Sequence, residues 1–257
     1  MIHSKPNYGN WIRIRIILLL FIISIILIGC GFSPWHVVFK VLAFSLSGLT
    51  LITAFIVLST YLSFSPRGGN YQKKIYNLII DNLMWNGEGE CLDIGTGNGV
   101  LIIELAKRHP LSICIGFDYW GKNWEYSRQI CEENAMIEGV NNRISFRQGT
   151  ASKLPFGDEQ FDVVISCLTF HEVKDTNEKF LILKEALRVL KKGGKFSFFD
   201  LFFDKKYYGE INSLSKNLDS LGLEDYSVKS VGEIINLSPI LRNKRALGLA
   251  GLIFGTK

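Results

Sequence analysis

Acidic residues are missing from the first quarter of this 257-residue chain. Residues 1–66 contain Lys5, Arg13, Arg15 and Lys40 and not one Asp or Glu. Removing those four from the chain's 29 basic residues leaves 25 against 24 acids, so the net charge of +5 sits mainly at the amino-terminal end. The near-neutral remainder excludes a broad basic face for nucleic acid. Histidine is scarce: four scattered residues give no ligand spacing, and no metal site is expected. Five cysteines form no C-x-x-C. Cys30 lies in an apolar run, Cys91, Cys114 and Cys167 on predicted strands and Cys131 on a predicted helix. They read as small apolar residues in a reducing compartment. No internal repeat or low-complexity tract is present.

The acid-free segment is instead rich in long apolar runs. Two spans, about 12–32 and 41–64, are each long enough to cross a bilayer. The turn between them carries Gly31, Ser33 and Pro34, so residues 1–66 read as a membrane hairpin. Arg13 and Arg15 can snorkel to the near interface, and Trp11, Trp35 and Tyr61 suit interfacial positions. Lys5, Arg13 and Arg15 precede the first span, Arg67, Lys73 and Lys74 follow the second, and the turn has only Lys40 and His36. This bias predicts an integral membrane protein with both ends in the cytoplasm. A cleaved signal peptide fits less well, because the second span would remain as an anchor and no small-residue cleavage site is evident.

After a Pro66–Asn70 linker, the domain at 67–257 alternates strand and helix patterns. Ile75, Leu78, Ile79 and Leu83 repeat at helical spacing. Strands are expected near 90–95, 112–117, 144–147, 162–167 and 195–201, and helices near 99–108, 123–138 and 176–192. Asp175 with Glu178 resembles a capping box for the last helix, and Gly193-Gly194 would close it. This rhythm implies a parallel sheet. Residues 205–221 read as one helix over the open end of the sheet, where a substrate lid could sit. The short apolar runs 226–231 and 247–254 look like a final antiparallel pair. The fold class is therefore α/β: a Rossmann-like, mostly parallel sheet with a terminal antiparallel strand, preceded by two transmembrane helices.

The most informative stretch runs from Glu90 to Leu101. An apolar strand carrying Asp93 breaks into Gly95, Gly97 and Gly99, and an apolar helix pattern follows at once. Glycines there admit positive φ and let a ligand approach the main chain. The helix start offers free N–H groups to it. A dinucleotide site would place the third glycine one position later, where this chain has Val100. Asp93 would repel a pyrophosphate but suits a ligand that brings an amino group.

Asp93-Ile94-Gly95-Thr96-Gly97-Asn98-Gly99 resembles the first motif of the Rossmann-like S-adenosyl-L-methionine-dependent methyltransferases. Three further stretches agree in order: the strand ending in Asp118; Leu154-Pro155-Phe156 with the Gly157-Asp158-Glu159 turn leading into 161–166; and Glu185 to Gly194 leading into the strand 195–199. Together they are similar to the ubiquinone/menaquinone-type, small-molecule branch. The resemblance covers about 76–200 well and the remainder to 257 more loosely; nothing before Pro66 belongs to it. It implies that Asp93, Gly95 and Gly97 hold the methionine part of the cofactor, that Thr96 and Gly99 belong to the same cofactor-binding loop, that Asp118 binds the ribose, and that Tyr119 or Trp120 flanks the adenine. Trp124 is a weaker candidate for that face. Ala151 and Cys167 would line the pocket. Where the branch usually has Gly-Asp-Ala, its acid meeting the adenine amino group, this chain has Gly149-Thr150-Ala151. A Thr150 hydroxyl or the backbone would have to accept that bond.

Methyl transfer from a sulfonium needs alignment and exclusion of water more than a base, so the lack of a catalytic triad does not argue against an enzyme. His171, after the fourth strand, is the candidate catalytic residue. Three roles stay open for it: general base, orienting group, or hydrogen-bonded loop histidine. Tyr207 and Tyr208 either face the acceptor or serve the surface or core. The expected acceptor is a small molecule, lipophilic if the hairpin brings the site to its substrate: a quinone, a sterol-like lipid or a phospholipid amine. Alternatively the hairpin only localises the chain or pairs with another membrane protein. A catalytically silent, cofactor-binding scaffold is the competing reading, and a nicotinamide oxidoreductase is disfavoured by the glycine spacing.

Overall fold

The computed structural model describes residues 5–121 and 125–257. They divide into two compact units: 10–74 with 238–241, and residues up to 9 with 75–237 and 242–257.

In the first unit, α1 (Ile14–Gly31) and α2 (Val37–Phe64) form a helical hairpin. Both are long and apolar enough to cross a membrane. At 1.5 Å per residue they extend about 27 and about 42 Å. Their contact face is built from small residues: Ser24, Gly31, Ala43, Ser47 and Ala54 are buried. Ser24 Oγ and Ser47 Oγ lie 2.8 Å apart, and a Cβ on Gly31 would meet the Phe44 ring at 2.6 Å. Small residues and a hydrogen bond across the seam are what hold helices together in lipid, where apolar side chains gain nothing by leaving the solvent. The outer faces expose Ile25, Leu49 and Phe55. Thr53, Thr60 and Ser63 donate to carbonyls one turn back, so these outward hydroxyls are satisfied within α2. The second helix starts four residues earlier than its apolar run suggests and takes in Lys40, which shortens the turn to 32–36.

In the second unit, the described chain runs α3 (Tyr71–Asp81), β1 (Gly89–Ile94), α4 (Val100–Arg108), β2 (Ser112–Asp118), α5 (Arg128–Ile137), β3 (Ile144–Gln148), β4 (Phe161–Cys167), α6 (Lys179–Arg188), β5 (Leu190–Asp200), α7 (Lys205–Tyr208), α8 (Ile211–Asp219), β6 (Asp225–Ser230), α9 (Val231–Ile234) and β7 (Gly251–Thr256). The first four residues of α3 belong to the hairpin unit. Among the described residues seven strands form one sheet in the order β3-β2-β1-β4-β5-β7-β6. β7 is antiparallel to both neighbours; the remaining pairs are parallel. The expected mostly parallel sheet with an antiparallel strand late in the chain is observed. Strand order reverses between β1 and β4, and the carboxyl ends at such a reversal are where open α/β sheets bind ligands. Phe117, Phe161, Phe170, Phe196, Phe198 and Phe202 are fully buried in one core. Each such side chain contributes about 1.5–3 kcal/mol by leaving water, which fixes the strand ends that carry the polar residues.

Several boundaries differ from expectation. α6 spans Lys179–Arg188 rather than 176–192, because Leu190 starts β5 opposite Phe161. Asp175 does not cap that helix; its carboxylate takes the hydroxyls of Thr150 and Ser152 instead. Gly193-Gly194 does not end the helix either. Gly193 N–H donates to Lys257 O and Lys257 N–H to Gly194 O, which extends strand pairing past the glycines. The single helix expected over 205–221 breaks at Gly209, φ +70°, into α7 and α8. The helix expected from 123 is described as Arg128–Ile137, with Ser127 Oγ accepting from Ile130 N–H at its start. Trp124 lies outside the described residues.

Candidate cofactor site

The site is assembled at the carboxyl ends of β1, β2, β4 and β5. Gly95, Gly97 and Gly99 all have positive φ, +79°, +58° and +82°, so the loop from β1 into α4 uses the conformation that only glycine adopts without strain. Gly95 has a second reason. A Cβ there would lie 1.9 Å from Thr169 Oγ1, so the turn after β4 rests directly on the loop. Gly95 and Thr96 N–H donate to Phe117 O, tying the loop to β2.

Three apolar strands carry an aspartate at this edge, as the last residue of β2 and β5 and the last but one of β1. Asp93, on β1, is 1% exposed. Its Oδ2 accepts from Thr96 Oγ1 at 2.7 Å, and its Oδ1 is buried with no partner among the described residues. Burial, with a smaller push from the charge of Asp118 and partial relief from Thr96, raises its pKa to about 7. Asp118, ending β2, accepts from Gly97 N–H through Oδ2 and from Trp120 N–H through Oδ1, both at 2.8 Å. Burial raises its pKa, and those N–H groups oppose the rise. Asp200, ending β5, is buried and lies 2.5 Å from His171 Nδ1. It also accepts from the N–H groups of Phe170, His171 and Leu201. Burial opposes charging His171, but the Asp200 charge and hydrogen bond, with Glu172, outweigh it and lift the pKa to about 9. His171 is therefore an imidazolium at neutral pH, with Tyr207 packed 5.6 Å away, centroid to centroid. Tyr208 is buried beside Asp200, and burial together with that charge pushes its hydroxyl pKa far up.

The other expected residues are placed as follows. Trp120 folds over the glycine loop, its Nε1–H donating to Gly97 O at 2.8 Å. Tyr119 is 68% exposed. Ala151 is buried and Thr150 half-buried on the loop after β3. Cys167 ends β4, and burial pushes its thiol pKa well up. Asp200 and Thr169 were missed by sequence reasoning. A signal for Asp200 exists, since Lys195 to Asp200 repeats the pattern of an apolar strand closed by an acid. Asn134 was missed too. Buried on α5, it donates to Asn98 O on the glycine loop and to Asn7 O, and accepts from Asn7 N–H. Cys131 Sγ–H also donates to Gly97 O. The loop is thus clamped from the α5 side and by the strap 5–9.

Residues 92–198 match the family described as a methyltransferase domain. That segment is similar to a methyltransferase domain. A ubiquinone/menaquinone biosynthesis C-methyltransferase, UbiE of Geotalea daltonii, is 30% identical over 117 residues, 45% of this chain and 47% of that protein. The chain spans about half the length of the curated relatives it matches. The crystal structure of YcgJ from Bacillus subtilis superposes with a TM-score of 0.51 at 22% identity, covering 72% of this chain and 98% of that one. The [4+2]-cyclase SpnF gives 0.53 at 16%, covering 71% and 79%. Both establish the fold alone. The cofactor of the methyltransferase domain is S-adenosyl-L-methionine, and the residues present fit it. The partnerless Asp93 Oδ1 lacks the cation that an amino acid's ammonium would bring, and the loop beside it presents main chain without side chains at 95, 97 and 99.

Proposed function

We propose that this chain is a membrane-anchored methyltransferase that transfers the methyl group of S-adenosyl-L-methionine to a small lipophilic acceptor. The observation that carries the reading is Asp93: a buried carboxylate with one oxygen unpartnered beside a positive-φ glycine loop. Burying such a group is costly unless a cation completes it. When bound, the sulfonium supplies an electrophilic methyl carbon. Asp93 then holds the ammonium end and Asp118 the ribose hydroxyls, while Thr169 and the glycine loop fix the register between them.

His171 and Asp200 serve the acceptor. Nδ1 faces Asp200, and Nε2, 3.6 Å from Glu172 Oε1, is the nitrogen that would turn from Glu172 to meet the acceptor. At neutral pH His171 already holds a proton. It acts as a donor that orients an acceptor oxygen, and becomes a base only after releasing that proton. Asp200 stabilises the charged ring in either case. The apolar outer faces of α1 and α2 support a bilayer location, and the similarity to a quinone C-methyltransferase supports an acceptor of that kind. The basic flanks of the two spans support a cytoplasmic catalytic domain.

Calorimetry with S-adenosylhomocysteine and with NAD tests the cofactor; binding of NAD alone would sink the reading. Labelled methyl transfer to a membrane lipid extract tests the acceptor, and label confined to soluble small molecules would remove the lipophilic one. Alkaline carbonate extraction tests the hairpin, which predicts retention in the membrane pellet.

A further inference from the structure

The strap 5–9, which precedes the apolar hairpin in the chain, is docked beside the glycine loop. It belongs to the second unit, and residues 10–13 then lead on to α1. Two main-chain groups of Asn7 engage one side chain. Asn7 N–H donates to Asn134 Oδ1 at 2.7 Å, and Asn7 O accepts from Asn134 Nδ2 at 3.0 Å. The other hydrogen of that NH2 goes to Asn98 O on the glycine loop, at 2.9 Å. Asn134 is buried, so its amide depends on these partners rather than on solvent. Tyr8 Oη–H donates to Glu138 Oε1 at 3.0 Å, and Lys107 holds Oε2 of the same carboxylate at 2.6 Å. Gly9, at φ +69°, brings the strap close to the loop. A Cβ there would lie 3.6 Å from Asn98 Nδ2 and 4.0 Å from the Tyr126 ring, and a Cβ on Gly97 would lie 3.6 Å from that same ring.

A carboxamide is not symmetric: its oxygen only accepts and its nitrogen only donates. Asn7 N–H fixes the Asn134 oxygen on the strap side, which leaves the NH2 for Asn98 O. Without the strap the amide is free to turn over and set its oxygen against Asn98 O, two acceptors face to face. We propose that Asn7 and Tyr8 are positioning residues for the cofactor: the strap orients the Asn134 amide, the amide holds the glycine loop in its ligand-receiving form, and the bound ligand in turn holds the strap. The role rests on the S-adenosyl reading above. Coupling of this kind is reciprocal, so the factor by which the docked strap raises affinity is the factor by which the ligand favours docking. The segment that leads into the hairpin thus completes the cofactor site.

The test is titration calorimetry of S-adenosylhomocysteine with the full chain in detergent micelles. Asn7→Pro removes the N–H that orients the amide and weakens binding about 5–20-fold, the worth of one buried hydrogen bond. In the Asn134→Ala background the same substitution costs less than about twofold, because the group it steers is gone. Tyr8→Phe, which keeps every main-chain group of the strap, weakens binding about 2–5-fold and guards against a proline that merely misfolds the segment. In the wild type, saturating S-adenosylhomocysteine slows hydrogen exchange of the Asn7 amide by about 5–20-fold, a response that a purely structural strap would not give. Affinity within twofold of wild type in both single variants overturns the proposal. So does an Asn7→Pro cost that is undiminished in the Asn134→Ala background, or an Asn7 exchange rate that the ligand leaves unmoved. In each of those cases the wild type still binds, and the S-adenosyl reading stands. A wild type that does not bind S-adenosylhomocysteine removes that reading and the role of the strap with it.

Discussion

Replacing Asp93 by Asn will stabilise the cofactor-free protein above neutral pH while weakening its hold on the cofactor. Burial lifts the folded carboxyl to about 7, against an ordinary aspartate value of about 3.8. Between those values the folded state keeps a proton that the unfolded chain has lost, so stability falls as pH rises from about 4 to about 7, and the full cost is present above 7. Three pKa units correspond to about 4 kcal/mol, a ceiling, because the site relaxes and admits water. At 2–4 °C per kcal/mol for a chain of this size, the variant melts up to roughly 16 °C above the wild type at pH 8.5. At pH 5, where the folded Asp93 is protonated but the unfolded one has mostly ionised, the gap shrinks to about a third, and it closes only below about pH 4. Asn keeps an acceptor for Thr96 Oγ1, so the substitution removes charge with little change of shape.

Binding reverses the order. The ammonium of S-adenosylhomocysteine completes Asp93 in the wild type, so affinity climbs as pH rises through about 7 and then levels off. In Asp93→Asn it is flat with pH and weaker by about 1.5–3 kcal/mol, the worth of a charge-assisted hydrogen bond. Differential scanning calorimetry and titration calorimetry at pH 5 and 8.5 supply both numbers. A melting gap that does not grow with pH, or a variant that melts below the wild type at pH 8.5, refutes the account of Asp93 as a charge awaiting its partner.

Asp200→Asn will lower the His171 pKa from about 9 toward its ordinary 6.5, read from the imidazole proton shifts by NMR; an unmoved titration would show that Asp200 does not set it. The same pair makes stability depend on pH: its contribution is complete below about 6.5 and is lost as pH rises through about 9, a decline that Asp200→Asn removes from the melting curve. Gly95→Ala forces a Cβ into Thr169 at a φ of +79° and will cost at least about 2 kcal/mol in denaturant titration. Asn134→Ala leaves Asn98 O and Asn7 without their buried partner and will weaken S-adenosylhomocysteine about 5–50-fold, in line with one to two lost hydrogen bonds; affinity within twofold of wild type would show that the α5 clamp does not support the loop.

What the sequence made readable divides along physical lines. The glycine loop was legible because three residues with no Cβ, at alternate positions, have few other uses between an apolar strand and a helix. Asp93 and Asp118 were legible because an acid closing an apolar strand has nowhere to go but the carboxyl edge. Asp200 carries the same signal, yet its role depends on His171, 29 residues away, and that pairing exists only once β4 and β5 lie side by side. Asp175 misled for a related reason. Its spacing to Glu178 satisfies a local capping rule, but Thr150 and Ser152 offer two hydroxyl donors where the helix end offers less. Helix ends were the least readable feature. Leu190 continues the 3.6-residue period of α6, and only its pairing with Phe161 turns it into strand. Gly209 broke a helix that the apolar pattern alone carried through.

The three strand-end aspartates also constrain what chemistry this edge favours. Asp93 and Asp200 are buried and Asp118 is half-buried, and their partners set them further apart. Asp118 has two backbone N–H groups, Asp200 has an imidazolium and three N–H groups, and Asp93 has one hydroxyl. Two of the charges are therefore settled in the structure as it stands and one is not. An acid left short of partners beside an open main chain selects a ligand with a cation at that end. Pyrophosphates bring the opposite charge and are selected against by the same group. Methyl transfer from a sulfonium disperses positive charge, so a site that placed an uncompensated carboxylate at the sulfur would stabilise the ground state and slow the step. On the proposed reading the uncompensated carboxylate lies at the amino-acid end, and the one proposed to serve the acceptor is paired with His171. If His171→Ala exposes Asp200 as a bare charge, kcat will fall more than the loss of an orienting group explains, and His171→Ala/Asp200→Asn will recover part of it. A double variant no better than the single one would show that charge balance at this edge does not govern the rate.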